Sequence, residues 1–147
     1  FCHMLSKKAK YGLHASLFLA RNYKKGSFLI AEIAEEENIP KKFLEIILLD
    51  LRKHGILKSK KGKGGGYELA KPPEKIFVGQ IIRTLEGPLA LVPCVSKTAY
   101  HKCEDCTDEK TCAIRKLFKH VRDATSEIMD NTTLAEAIRA KFSVKKI

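Results

Sequence analysis

Hydrophobic positions recur at helical spacing along most of this chain and cluster into short strand-like runs over only one span. The clearest stripe is Leu44, Ile47, Leu48 and Leu51, at i, i+3, i+4 and i+7, which predicts a single packed helix face. Lys41, Lys42, Glu45 and Leu49 then face outward. Pro40 suits the first turn, where its missing N–H would have no partner, and Gly55 behind Lys53 and His54 is a C-terminal stop. Upstream, Tyr11, Leu13, Leu17, Phe18 and Ala20 predict a first helix over Ser6–Tyr23, led in by Lys7, Lys8 and Lys10. Ile30, Ile33 and Ala34 predict a shorter helix over Ile30–Glu37, with no Ser, Thr, Asp or Asn directly before it to cap it. The break Asn38-Ile39-Pro40 has the length that helix-turn-helix units use.

Beyond Gly55, Ile56–Lys60 and Tyr67–Leu69 read as two short strands. Their connection, Lys61-Gly62-Lys63-Gly64-Gly65-Gly66, combines glycines that permit positive φ with lysines that stay solvated. A glycine-rich run alone is more often a flexible loop. Directly behind an outward-facing helix it reads as a wing whose tip can lie against phosphates. Pro72 and Pro73 close that unit near residue 75. Val78, Ile81, Ile82 and Leu85 predict a helix over Val78–Glu86, stopped by Gly87-Pro88. The longest stripe follows Cys112: Ile114, Leu117, Phe118, Val121, Ala124, Thr125 and Ile128. It either covers its own domain or meets a partner helix, and DNA readers of this size commonly pair through such a helix. Thr133 to Glu136 has capping-box spacing and opens a last short helix with Leu134 and Ile138. The predicted fold is mainly α with a small β wing. Residues 5–75 form a winged helix-turn-helix, and residues 76–142 carry a linker helix, a cysteine-rich loop (94–112) and a dimerisation helix.

Charge sharpens this picture. The chain has 147 residues, 44% of them hydrophobic, and a net charge of +11. Residues 1–75 hold 16 Lys/Arg against 8 Asp/Glu, and residues 76–147 hold 12 against 9, so the cationic face belongs to the N-terminal half. Such a half implies an anionic partner, nucleic acid or an acidic membrane. No apolar run approaches the ~20 residues that cross a bilayer, no lysine-flanked amphipathic segment suits a membrane surface, and the start lacks signal-peptide order. A cytoplasmic protein with no membrane partner is expected.

Cysteines supply the candidate chemistry. Cys94, Cys103, Cys106 and Cys112 lie within one stretch of 19 residues, whereas Cys2 and His3 precede the expected initiator Met4 and are left out of the site. In a cytosolic chain such a cluster points to metal or redox chemistry rather than to a disulfide framework. Structural zinc usually shows two Cys-x-x-Cys knuckles, and only Cys103-Glu-Asp-Cys106 is present. Spacing leaves an iron–sulfur cluster, zinc and metal-free thiols all open. Glu104, Asp105, Asp108 and Glu109 crowd the loop with negative charge that favours a cation, while His101 reads as a solvated loop residue. A thiol oxidoreductase would place Cys103 and Cys106 at a helix start in a βαβ setting, which is not visible here. An RNA-binding or scaffold winged helix with a structural zinc is the other alternative.

Lys10-Tyr11, Ile33-Ala34-Glu35, Phe43-Leu44-Glu45, Leu51-Arg52-Lys53-His54-Gly55, Gly64-Gly65-Gly66-Tyr67, Glu86-Gly87-Pro88-Leu89 and Thr133-Leu-Ala-Glu136 together resemble the Rrf-two family of bacterial winged-helix transcription regulators, over Leu5 to about Ala140. The resemblance implies a homodimeric, non-enzymatic regulator on a palindromic double-stranded DNA operator. It puts Glu45 in the base-reading position, Lys42 beside it and Lys61 in place of a minor-groove arginine. Tyr11, Lys7, Lys41, Lys58, Lys60, Lys63 and Gly64 complete the expected DNA contacts. It also implies that Cys94, Cys106 and Cys112 correspond to the cysteines of an iron–sulfur cluster, 2Fe-2S or 4Fe-4S, with Cys103 able to complete an all-thiolate metal set. Arg115 stands where some members carry a histidine ligand, and other members bind DNA with no cluster. A cysteine loop between two helices would set the spacing of the paired winged units, and through it their DNA affinity, in response to iron–sulfur, redox or nitrosative status.

Overall fold

The stripe at the centre of the chain is fully enclosed: Leu44, Ile47, Leu48 and Leu51 each show 0% exposure, each contributing about 1.5–3 kcal/mol of apolar burial. A computed structural model describes residues 5–140, in the order α1 (Lys7–Arg21), α2 (Ile30–Glu36), α3 (Lys41–Lys53), β1 (Leu57–Lys60), β2 (Gly66–Leu69), α4 (Val78–Leu85), α5 (Ala113–Asn131) and α6 (Leu134–Arg139). Single 3-10 turns sit at Pro73–Lys75 and Pro93–Val95. Cys2, His3 and the last two residues of the expected 76–142 unit lie outside the described residues.

The helix ends follow local chemistry. Ser6 caps α1 by accepting from the Ala9 N–H at 3.1 Å. The missing cap of α2 is supplied from within: the Glu32 carboxylate accepts the Leu29 N–H at 2.6 Å. Pro40 stands one place earlier than expected, as the N-cap of α3 with φ −57° and ψ 123°, because its carbonyl accepts the Leu44 N–H at 2.9 Å. Ile56 is the junction of helix and strand, its carbonyl accepting the Ala70 N–H at 3.0 Å. Its N–H donates to the Leu51 carbonyl at 3.0 Å, so β1 starts at Leu57.

The two strands are antiparallel, pairing Leu57 with Leu69, Lys58 with Glu68, Ser59 with Tyr67 and Lys60 with Gly66. Phe28 bridges to Tyr67 and extends the sheet backward. Gly66 is required there, since at φ +136° a Cβ would lie 2.3 Å from the Phe28 carbonyl oxygen.

Ile81, Ile82, Leu85 and Leu134 share one core with the α3 stripe, so that core runs across residue 75. Helix α1 crosses it at Gly12, where a Cβ would meet Leu85 Cδ1 at 2.0 Å and Ile47 Cγ2 at 3.3 Å. The chain returns to this core after α5: Val78 N–H donates to the Thr132 carbonyl and Leu134 N–H to the Ile76 carbonyl, each at 2.9 Å. Helix α5 itself has no buried residue. Ile114, Leu117, Val121 and Ile128 remain 62%, 59%, 36% and 47% exposed, so that row does not cover its own domain. No helix among the described residues is long and apolar enough to cross a membrane.

Candidate functional site

Burial of one face of α3 dictates what the other presents. Lys41, Lys42 and Glu45 are all exposed, and among the described residues Glu45 forms no ion pair. It is not paired with Lys41 or Lys42 of the same helix. Tyr11 of α1 packs edge-on against Phe43 at a centroid distance of 5.6 Å, which fixes α1 beside the first turn of α3. Lys7 is exposed one helical turn before Tyr11. Lys8, in contrast, is committed to Asp50 at 2.7 Å, and this bond holds the Asp50 carboxyl below the ordinary carboxylate range against the opposing effect of burial.

The wing divides its lysines into two classes. Lys58 and Lys60 lie on the strand and both reach Glu68, at 3.2 and 3.5 Å. Burial works to raise the Glu68 carboxyl, but these lysines outweigh it and hold it below its usual value. Lys61 and Lys63 sit at the tip, exposed, and make no ion pair among the described residues. Positive φ at Gly62 and Gly64, +87° and +74°, turns the tip, and the Gly65 N–H closes onto the Gly62 carbonyl at 2.9 Å. In sequence the four lysines look alike. Pairing Lys60 with Gly66 across the tip sets Lys58 opposite Glu68, a signal available once the hairpin register is assumed.

Several linking residues were not anticipated. Arg52 Nη1 donates to Ser59 Oγ at 3.0 Å, tying α3 to the wing. The Glu86 carboxylate accepts both the N–H and the hydroxyl of Ser6, at 3.1 and 2.5 Å, so the end of α4 holds the start of α1. Arg83 of α4 pairs with Asp130 of α5. Arg122 of α5, only 12% exposed in its side chain, donates to the Val95 carbonyl at 2.6 Å and fastens the cysteine loop to α5. Side-chain-to-backbone links of this kind leave no periodic trace in a sequence.

The four loop cysteines are free thiols, Cys94 buried and Cys103, Cys106 and Cys112 half-buried. Burial pushes the Cys94 thiol up, and the neighbouring Cys103 thiol adds to this, while Arg115 opposes it. Cys106 is also raised, by desolvation first and by Cys112 next. Cys112 Sγ caps α5, accepting the Arg115 N–H at 3.4 Å. The Arg115 Nε is buried, 4.0 Å from Glu109, and has no hydrogen-bond partner among the described residues. His101 is exposed, as expected. Among the described residues no three Cys, His, Asp or Glu side chains are gathered as a metal site. The thiol chemistry suits iron or zinc, but the arrangement does not build the ligand shell that either would require.

Known proteins of the same architecture place these features in context. An rrf2-like HTH-type transcriptional regulator of Rhodobacter capsulatus is 42% identical over 98% of both chains. The solved structure of CymR, the global cysteine regulator of Bacillus subtilis, superposes with a TM-score of 0.77 at 34% identity, covering 95% of this chain and 98% of that one. IscR of T. potens gives 0.74 at 27% identity, covering 98% and 93%. These relatives are transcription regulators, not enzymes. The family model described as an iron-dependent transcriptional regulator matches residues 5–140, and the chain belongs to that family, Rrf2.

Proposed function

We propose that this regulator binds a palindromic DNA operator as a homodimer, and that the thiol state of the 94–112 loop sets its affinity. The observation that carries the reading is the division of charge among surface side chains: Lys41, Lys42 and Glu45 on α3, and Lys61 and Lys63 on the wing tip, are exposed and free of ion pairs among the described residues, while neighbouring lysines are neutralised internally. Glu45 gives discrimination by accepting from a cytosine amino group, and the lysines, with Lys7, Tyr11 and the Gly64 backbone, hold phosphates. The exposed row Ile114, Leu117, Val121 and Ile128 on α5 supplies the apolar face for a second copy. An isologous pair would set two α3 helices on successive major grooves, ~34 Å apart. Selection of duplexes from a randomised pool tests this. The expected product is a two-half-site sequence bound by a dimer. Capture of single-stranded RNA, or uniform binding of all duplexes, would refute it.

A second reading, iron held by the loop, is favoured by the description of the family as iron-dependent and by the acidic residues between the thiols. It requires the loop to rearrange, because no three ligands converge among the described residues. Anaerobic reconstitution tests it: stoichiometric iron with absorbance near ~400 nm supports it, and colourless protein without iron excludes it.

A further inference from the structure

We infer that Ile46 is a specificity-determining residue of α3, reading the C5-methyl group of a thymine in the major groove. The inference deepens the reading of α3 as the helix that enters DNA, and rests on it.

The helix itself selects the position. Leu44, Ile47, Leu48 and Leu51 are the buried residues of α3. At ~100° per residue, the direction opposite that stripe falls close to Lys42, with Ile46 and Leu49 flanking it and Glu45 ~60° to one side. Ile46 therefore points more squarely away from the core than Glu45 does. It is 55% exposed, whereas Leu49, about one turn further on, is half-buried. The contacts that hold α3 lie on its flanks: Tyr11 packs against Phe43, Lys8 bonds to Asp50, and Arg52 bonds to Ser59. Ile46 also falls within the first half of α3, the end that a helix-turn-helix presents to base edges.

Chemistry decides what this side chain reads. Isoleucine neither donates nor accepts a hydrogen bond, so it holds neither a phosphate nor a polar base edge. In the major groove, the apolar group that distinguishes one base pair from another is the thymine methyl. Beside Glu45, which accepts from a cytosine amino group, Ile46 adds a determinant of a different kind, shape and dryness rather than charge. Burying one methyl changes affinity by about four-fold. A lone isoleucine next to charged residues is too small for a protein-docking patch, and the apolar row offered to a second copy is on α5.

The test uses the full-length chain and a duplex that it selects from a randomised pool synthesised without methylcytosine, so that thymine is the only source of a major-groove methyl. Each thymine of one half-site is replaced in turn by deoxyuridine, which removes the methyl and leaves the pairing edge intact, and Kd is measured by fluorescence anisotropy. The expected result is a position at which uracil weakens wild-type binding by about four-fold. In Ile46→Ala the thymine-to-uracil ratio at that position should fall to about one, the two losses not adding because they remove the same contact. Leu29→Ala removes an apolar side chain of equal exposure, 55%, at the start of α2, and should keep the ratio. A selected half-site without thymine, indifference to uracil at every position, or a ratio that persists in Ile46→Ala or is lost in Leu29→Ala would overturn the inference. Any of these with a selected duplex still bound leaves the proposed function standing, whereas the absence of any duplex preference refutes both.

Discussion

Replacing Lys61 and Lys63 together with alanine removes the two wing cations that no carboxylate among the described residues neutralises. Each lysine on a phosphate contributes about 0.9 to the slope of log affinity against log salt, so the double variant loses ~1.8 per half-site and ~3.6 for a dimer on both half-sites. Between about 50 and 200 mM salt, the lost sensitivity is roughly ten-fold for one half-site and roughly a hundred-fold for two. Lys58 and Lys60 are a built-in control. Both contact Glu68, at 3.2 and 3.5 Å. Part of their charge is already offset, and their loss should flatten the slope by about half as much, ~0.9 per half-site. Fluorescence anisotropy on one duplex over a salt series measures both variants under identical conditions. An unchanged slope for Lys61→Ala/Lys63→Ala, or a larger change for Lys58→Ala/Lys60→Ala, would refute the division of the wing into paired and free lysines.

Glu45→Ala should relax sequence preference while non-specific affinity stays equal or rises, because a carboxylate in the groove repels phosphates and is useful only for discrimination. A uniform loss across all duplexes would contradict that role. Gly66→Ala should lower Tm by about 4 °C or more, since the added Cβ would lie 2.3 Å from the Phe28 carbonyl oxygen at φ +136°; a Tm within one degree of wild type would show that the backbone yields there. The Asp50 carboxyl is depressed in the folded state, chiefly by its bond to Lys8. Its stabilisation is therefore present above the ordinary carboxylate range and is lost as pH falls through the depressed value. Lys8→Met should remove a few tenths of a kcal/mol near neutral pH and less in acid, and a loss that grows on acidification would reverse the assignment.

Periodicity made most of the fold legible. The α3 stripe, the α5 stripe and the Thr133–Glu136 capping box depend on spacing within one element, and spacing is what a sequence displays directly. The entrance to α2 was less visible because its cap comes from Glu32, inside the helix, rather than from a residue before it. Pro40 and Ile56 were each misplaced by one position, for the related reason that a backbone carbonyl or N–H decides where a helix ends. At the candidate DNA face, residue identities were readable but their ion-pair states were not. Lys58 and Lys61 look alike until the strand register brings Glu68 to one of them. In the cysteine loop, spacing could offer four ligands but could not show how each thiol is engaged. That depends on the turn closed by His101 and Pro93 and on the use of Cys112 as a helix cap.

The central claim is that the thiol state of the 94–112 loop sets DNA affinity. Its most direct test is the Kd of the full-length chain for a self-selected duplex, measured reduced, after hydrogen peroxide, and after re-reduction, in wild type and in Cys94→Ser. The expected result is a change of about ten-fold or more in wild type, equivalent to a coupling of ~1.4 kcal/mol, reversed by re-reduction and absent in Cys94→Ser. Identical Kd values for the reduced and oxidised wild-type chain would contradict it.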